Sequence, residues 1–367
     1  MKGKYVIGIA LFVLIIGGTV IVKKCISGPD PSSLITLKGY IGGEKKGFLD
    51  NPRVKEILKN KYKIIIDYTK AGSIEMVKKT LGKADFLWPS SQVALALYKE
   101  MHKGKSVKAS IIFNSPIVMY SWDFIVDAML KKSLVKEKSG TYTINLAKLV
   151  NMIIKGKRWA DIGLEDQFGK TKKIFVESTD PSKSNSGNMF SGLLANILNN
   201  EDVVTANEMN KIIPKVVAFF KRLGFLQSST GDIFHQYTRM GIGAKPIIIG
   251  YESQIIEFSK KNPEGWNRLK SKIRILYPLP TVWSSHPLIV TSSKAKILLT
   301  ALKDEELQKI AWNEHGFRTG ILTDKDLKNV DVPGIPAQIY RIIQMPTPRV
   351  MDVIIEKLGL MIKKKQQ

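Results

Sequence analysis

The sequence has a single cysteine, Cys25, and only four histidines in 367 residues. One cysteine excludes an intrachain disulfide and any zinc site built on cysteines. His102, His235, His286 and His315 lie far apart, and none has a partner at metal-helix spacing, so each reads as a structural or surface histidine. Arginine is scarce too: nine of the 57 basic residues, leaving 48 lysines. Arginine is the side chain suited to bidentate reading of phosphates and base edges, so this balance argues against a nucleic-acid partner. Zinc-finger spacing, an aromatic RNA-binding signature and a basic zipper are all missing. So are a G-x-S-x-G elbow and a Walker-type phosphate loop. Ser133-x-x-Lys136 and Ser293-x-x-Lys296 fit the S-x-x-K pattern, but a chain this rich in lysine supplies such matches by chance and neither has the companion motifs. Asp180 and Glu252 lie near candidate turns without a second carboxylate to pair with for acid–base work. The sequence therefore offers no catalytic residue, no metal site and no cofactor motif, and reads as a binding protein and not an enzyme.

What is present is a globular composition, 44% hydrophobic and 24% charged, with a formal net charge of +25. The length suits two domains, each with its own core. A lysine-rich positive surface suits an anionic ligand, membrane or wall polymer. At the N-terminus, Tyr5 to Val22 runs 18 residues without a charge, near the minimum for a membrane-crossing helix. It runs straight into Lys23-Lys24-Cys25, with neither an A-x-A-like cleavage site nor small residues before the cysteine. Residues 1–26 are thus expected to be a retained, signal-like anchor, with secretion the outcome if it is cleaved. A Pro/Ser/Gly linker follows at 27–33.

From Leu34 onward strands and helices alternate, as they do in a parallel sheet covered by helices. Strands are expected at Leu34–Ile41, Lys63–Tyr68, Ala84–Trp88 and Ser110–Met119, and Asp123 to Ala160 reads as mainly helical. Lys173–Glu177, Lys245–Gly250, Lys272–Tyr277 and Pro287–Thr291 read as further strands. Helices follow Ser73, as a plausible N-cap, and open near Ser186-Gly187, and the chain ends in helices with an apolar-basic tail. Four turns stand out: Gly42-Gly43-Glu44, Ala71-Gly72-Ser73, Trp88-Pro89-Ser90-Ser91, and Ser178 to Asn188. In an open α/β sheet such turns aim free helix N–H groups into the crevice at the carboxyl ends of the strands, where they form an anion site without a charged side chain.

The order of these features resembles the type II periplasmic solute-binding proteins, in particular the phosphate- and molybdate-type bacterial extracellular group. The likeness rests on LKGYIGGEKKGFLDNPRVKEIL from Leu37, KAGSIEMV from Lys70, ADFLWPSS from Ala84, STDPSKSNSGNMF from Ser178, GYESQIIEF from Gly250, and LKDEELQKIAWNEHGFRTG from Leu302. The resemblance implies an α/β, two-lobed, periplasmic-binding-protein-like type II fold, each lobe a mixed sheet flanked by helices, with a two-strand hinge. Lobe 1 would comprise 34–113 plus 283–345, lobe 2 would comprise 118–277, and 346–367 would be a basic C-terminal tail. It implies a ligand, small-molecule or oxyanion, held by Gly43, Glu44, Gly72, Ser73, Ser90, Ser91, Ser184, Asn185, Ser186, Gly187, Tyr251 and Glu252. It further implies a monomer on the extracytoplasmic face of the cell membrane that hands its solute to a membrane permease. Glu44 and Glu252 depart from the pattern, because an oxyanion would meet repulsion there. The alternative is an anchored surface protein of structural or interaction type that keeps the fold without transporting a ligand; a cleft filled by its own side chains would mark it.

Overall fold

Along β1 (Ile35–Ile41), Leu37, Gly39 and Ile41 are buried while Thr36 and Lys38 are exposed, the period-two pattern of a pleated strand. Parallel neighbours β2 (Ile64–Lys70) and β3 (Phe86–Trp88) flank it. The computed structural model describes residues 33–78, 84–241, 245–328 and 330–366. The remaining strands are β4 (Lys108–Trp122), β5 (Val135–Lys138), β6 (Thr141–Ile144), β7 (Ile247–Tyr251), β8 (Ile273–Pro278) and β9 (Trp283–Val290). They join in the order β2-β1-β3-β9-β4-β8-β6-β5, with β7 also paired to β4.

The long strand β4 serves two groups of partners. Through Pro116 it pairs with β9, and from Ile117 onward it pairs with β7 and β8. Proline has no N–H to give to a ladder, so a partner change at Pro116 loses little. The chain crosses back between the same two groups where β8 leads into β9, and there Thr281 Oγ1 donates to Ile117 O at 2.8 Å.

Helices cover both sheet groups. On the β1–β3 side lie α1 (Lys46–Asp50), α2 (Pro52–Tyr62), α3 (Ser73–Lys78) and α4 (Gln92–Met101). On the β7–β8 side lie α5 (Asp123–Lys131), α6 (Leu146–Ile154), α7 (Asn185–Leu198), α8 (Met209–Leu223), α9 (Thr230–Met240), α10 (Glu252–Lys261) and α11 (Pro263–Leu269). Helices α12 (Lys296–Ala301) and α13 (Glu305–Asn313) return to the first side, and α14 (Pro348–Gln366) closes the chain. One core gathers Leu37, Phe48, Trp88, Phe113, Leu302 and Phe317. A larger one gathers Tyr120, Trp122, Trp159, Phe190, Phe219 and Trp266.

Helix α14 gives structure to the predicted basic tail. Val350, Met351, Ile354, Leu358 and Met361 are buried in the larger core, a helical stripe of apolar residues. Helix α14 packs on α7 and α8, and also touches α4 on the other side. An ion pair of 2.9 Å between Lys78 and Asp352 reinforces that bridge.

Three local expectations change. The stretch 123–160 contains the β5–β6 hairpin as well as helices, because Ser139 and Gly140 both take positive φ (52° and 79°), which suits a tight hairpin turn. Lys173–Glu177 makes only isolated bridges, from Lys173 to Arg158 and from Glu177 to Ile248, and no regular strand. Ser73 does not cap its own helix; it lies inside α3, and its hydroxyl accepts from Ser90 N at 2.9 Å. The expected anchor, Tyr5 to Val22, lies outside the described residues, and among those described no helix is long and apolar enough to cross a membrane.

Candidate functional site

Three of the four turns singled out in the sequence line one cleft of about 1210 Å³ between the two sheet groups, and the fourth, Trp88 to Ser91, lies beneath it. Gly43, Glu44, Gly72 and Ser73 line it from one side, and Ser184, Asn185 and Tyr251 from the other. Ser90, Ser91, Ser186, Gly187 and Glu252 lie beneath the surface and do not line it.

The first wall is built on Gly42. A Cβ at that position would run into Ser90 Oγ and the Glu44 carboxylate, so only glycine lets the turn close over them. Lys45 is completely buried below the turn. Its ammonium donates to Glu44 Oε1 at 2.5 Å and to Ser90 Oγ at 2.7 Å, and lies 3.4 Å from His286 Nδ1. It also sits over the Trp88 ring, 5.7 Å from the centroid. Ser90 Oγ donates to the same Glu44 oxygen. An ammonium only donates, so His286 Nδ1 must accept and Nε2 must carry the proton. Nε2 faces Ser284 Oγ at 3.2 Å, and Ser284 donates to Ser90 O at 2.8 Å. Burial and the Lys45 charge push His286 well below its ordinary value, so it is neutral at pH 7. Burial alone would raise the Glu44 carboxyl; the Lys45 ammonium, with the Ser90 hydroxyl, overcomes it and holds the group down to about 2. Burial lowers Lys45 while Glu44 opposes that fall. The wall thus presents an ionised carboxylate whose charge is cancelled from below. The second and third turns support it: Ser73 takes Ser90 N, and Ser91 caps α4 by accepting from Val93 N at 3.1 Å.

The opposite wall is a ladder of hydroxyls. Ser186 Oγ bonds Thr179 Oγ1 at 2.9 Å and Ser184 Oγ at 3.2 Å, and also bonds Thr230 Oγ1. Ser184 lies 3.1 Å from Thr230. Gly187 lets α7 press against Thr179, whose carbonyl a Cβ would strike. Asp180 is tied down by the Ser182 amide and hydroxyl at 2.8 and 2.6 Å. Asn185 reaches across: its amide lies 3.0 Å from Ser90 O and 3.0 Å from Tyr251 Oη, while its buried Oδ1 has no partner among the described residues. Burial raises the Tyr251 hydroxyl, so Tyr251 remains a neutral phenol.

Asn51, Asn145 and Asp304 cap α2, α6 and α13 with their own side chains away from the cleft, and Ser229 and Asn262, which line it, cap α9 and α11. At the cleft, neither the 3-10 turn Gly43–Lys45 nor α7 has a side-chain cap. Their first amides lack intrahelical partners and lie at the positive end of the local dipole.

Glu252 is the departure from expectation. It opens α10 after strand β7, but its carboxylate turns inward and is entirely buried. Arg318 grips it from Nε to Oε1 at 2.6 Å and from Nη2 to Oε2 at 2.9 Å, and Tyr277 Oη donates to it at 2.6 Å. Arg318 also donates to the carbonyls of Pro336 and Ala337, at 2.6 and 3.0 Å. Among the described residues, no three His, Cys, Asp or Glu side chains are grouped to hold a metal.

Lys45, His286 and Thr230 were not among the residues the sequence singled out. Lys45 is one lysine among 48 and His286 lies in a strand far from the turns it serves. The run Ser228-Ser229-Thr230-Gly231 did carry a signal, a hydroxyl-rich turn like the other four.

No family model matches the chain, and no curated protein sequence matches it. Its structure is similar to solved structures. One is a protein from Bordetella parapertussis assigned as an extracellular solute-binding protein: 12% identity, 90% of this chain and 98% of that one, TM-score 0.57. A second is the sulfate-binding protein SubI from Mycobacterium tuberculosis H37Rv: 15% identity, coverage 87% and 96%, TM-score 0.52. A third is an ABC transporter structure from Clostridium perfringens ATCC 13124: 12% identity, coverage 89% and 99%, TM-score 0.51. With its mixed sheet divided along β4 and a cleft between the divided parts, this chain has the type II periplasmic-binding-protein fold.

Proposed function

We propose that this chain is an extracytoplasmic solute-binding protein, without enzymatic activity, that captures a small anionic ligand in the cleft and delivers it to a membrane permease. The observation that carries this reading is the pair of uncapped helix starts, at Gly43 and at Asn185, aimed into one cleft from opposite sides. Unpaired amides at a helix N-terminus favour an anion, and the hydroxyls of Ser73 and Ser184 add adaptable donors. An open cleft of about 1210 Å³ favours binding over an interaction-only protein, whose cleft would be filled by its own side chains.

In this reading the two lobes are 34–113 with the segment from 283, and 118–277, and they close about the two crossings at Pro116–Ile117 and Pro278–Trp283. The burial of Leu327 and Val332 in the larger core supports ending the first lobe at about Gly320 instead of 345. A ligand touching both walls binds the closed form better and shifts the population toward it. The N-terminal apolar run Tyr5 to Val22 tethers the protein to the membrane. Calorimetry and thermal shift over phosphate, sulfate, molybdate, tellurite, small organic acids and metal cations test the proposal. A ligand at 100 times its dissociation constant adds about 2.7 kcal/mol to stability, and no response to any compound on the panel would overturn it.

A further inference from the structure

The cleft is larger, and more unevenly charged, than a compact oxyanion requires. Seven Lys and Arg side chains line it against four Asp and Glu. Among the carboxylates, Glu44 has Lys45 at 2.5 Å, Asp50 has Lys46 at 2.5 Å, and Glu257 has Lys261 at 2.6 Å. The fourth, Glu75, accepts from Gly72 N at 3.2 Å. On the basic side, Lys183 lies 3.9 Å from Asp180. Lys70, Arg239, Arg268 and Lys272 are exposed and, among the described residues, have no ion-pair partner. What remains after internal pairing is positive.

That positive charge falls into two groups. Lys70 and Lys183 belong to the turns where the uncapped amides and hydroxyls meet. Arg239 lies in the last turn of α9 and Arg268 in the last turn of α11, and Lys272 precedes β8, whose Ile273 pairs with Trp122, five residues along β4 from the Ile117 that pairs with Tyr251. Helix α9 measures the gap: it starts at Thr230, inside the hydroxyl ladder, and reaches Arg239 nine residues later, about 14 Å at 1.5 Å per residue. Two of the three distal cations are arginines, in a chain with nine of them against 48 lysines. Arginine matches phosphate-type oxygens in pairs and sheds its water more readily than lysine.

We infer that the cleft takes an extended, multiply charged anion of the oligophosphate class, with one terminal group at the helix N-termini near Gly43 and Asn185 and the remainder running along α9 to Arg239, Arg268 and Lys272. The inference rests on the solute-binding reading above and specifies its substrate class. Orthophosphate or sulfate fills only the first position. A longer chain reaches the second group and gains further contacts, each weakened by salt.

The test is calorimetric titration of the full chain with orthophosphate, tripolyphosphate and longer linear polyphosphate at two salt concentrations. Affinity should rise at least tenfold from orthophosphate to the longest chain and fall as salt is raised. The triple substitution R239Q/R268Q/K272Q should remove most of that gain while circular dichroism and melting temperature hold. If orthophosphate or sulfate binds as tightly as the long chain, or if the triple variant leaves the long chain's affinity unchanged, the inference is overturned and the solute-binding reading stands. If neither these anions nor any compound of the wider panel binds, both fail.

Discussion

Two turns in this molecule share a local plan. At Gly42–Lys45 and at Tyr251–Glu252, a strand gives way to a helix at a glycine or an aromatic residue, and a glutamate falls in the helix's first turn. The outcomes are opposite. Glu44 keeps 18% of its side chain exposed at the cleft, with Lys45 cancelling its charge from below. Glu252 has no exposure at all; Arg318 and Tyr277 take both of its oxygens. The same residue type in the same kind of turn thus shapes a binding surface in one place and fastens distant segments in the other. The difference comes from what lies underneath: a lysine from the next position at Glu44, and an arginine 66 residues away at Glu252.

The largest effect is expected from Arg318→Met. It strands a fully buried carboxylate, which should cost about 3–5 kcal/mol in chemical denaturation. Adding Glu252→Gln to it should restore a substantial part, because the stranded charge is then gone. A loss below about 1 kcal/mol for Arg318→Met would show that Glu252 can find water, and the contrast with Glu44 would vanish. Lys45→Met should cost less, about 2 kcal/mol, since the partly exposed Glu44 carboxylate can turn toward the cleft once its partner is removed.

The third prediction concerns pH. The Glu44 carboxyl is depressed from 4.5 to about 2 in the fold. A depressed acid contributes stability that is complete above its unfolded value and is lost as pH falls through the folded one. The wild type should therefore lose on the order of 1–2 kcal/mol between pH 4.5 and 2 that Glu44→Gln does not lose, measured by denaturation at stepped pH. The same variant should bind oxyanions more tightly at pH 7, because a carboxylate facing the ligand is gone. Smallest is Asn185→Ala. It removes the amide that reaches Ser90 O and Tyr251 Oη, at a cost of about 1 kcal/mol, and should loosen the approach of the two walls as seen by small-angle scattering without ligand.

What the sequence revealed follows from the range of the forces involved. Strands such as KIIIDY and the glycine- and serine-rich turns are written in neighbouring residues, so the order of elements and the convergence of the turns were readable. Gly43, Glu44, Gly72, Ser73, Ser184, Asn185 and Tyr251 all reach the cleft. The inward side chains were not readable. Whether Ser90 faces ligand or braces Ser73 and Lys45 depends on packing between elements, as does the burial of Glu252 by a residue from the far side of β9. The β5–β6 hairpin was hidden because Lys136 to Thr143 carries few apolar residues, and only Ser139-Gly140 announces it.

The position of β9 has a consequence for how the chain is made. Strands β1, β3 and β4 are complete by Trp122, yet β3 and β4 are neighbours only through β9, which ends at Val290. A ribosome adding about 5–20 residues per second needs roughly 10–30 s to cover that interval. Throughout it, the newborn chain carries two unsatisfied strand edges that only a late segment of its own can close. The order of synthesis therefore keeps the first third of the molecule open until nearly four-fifths of it exists.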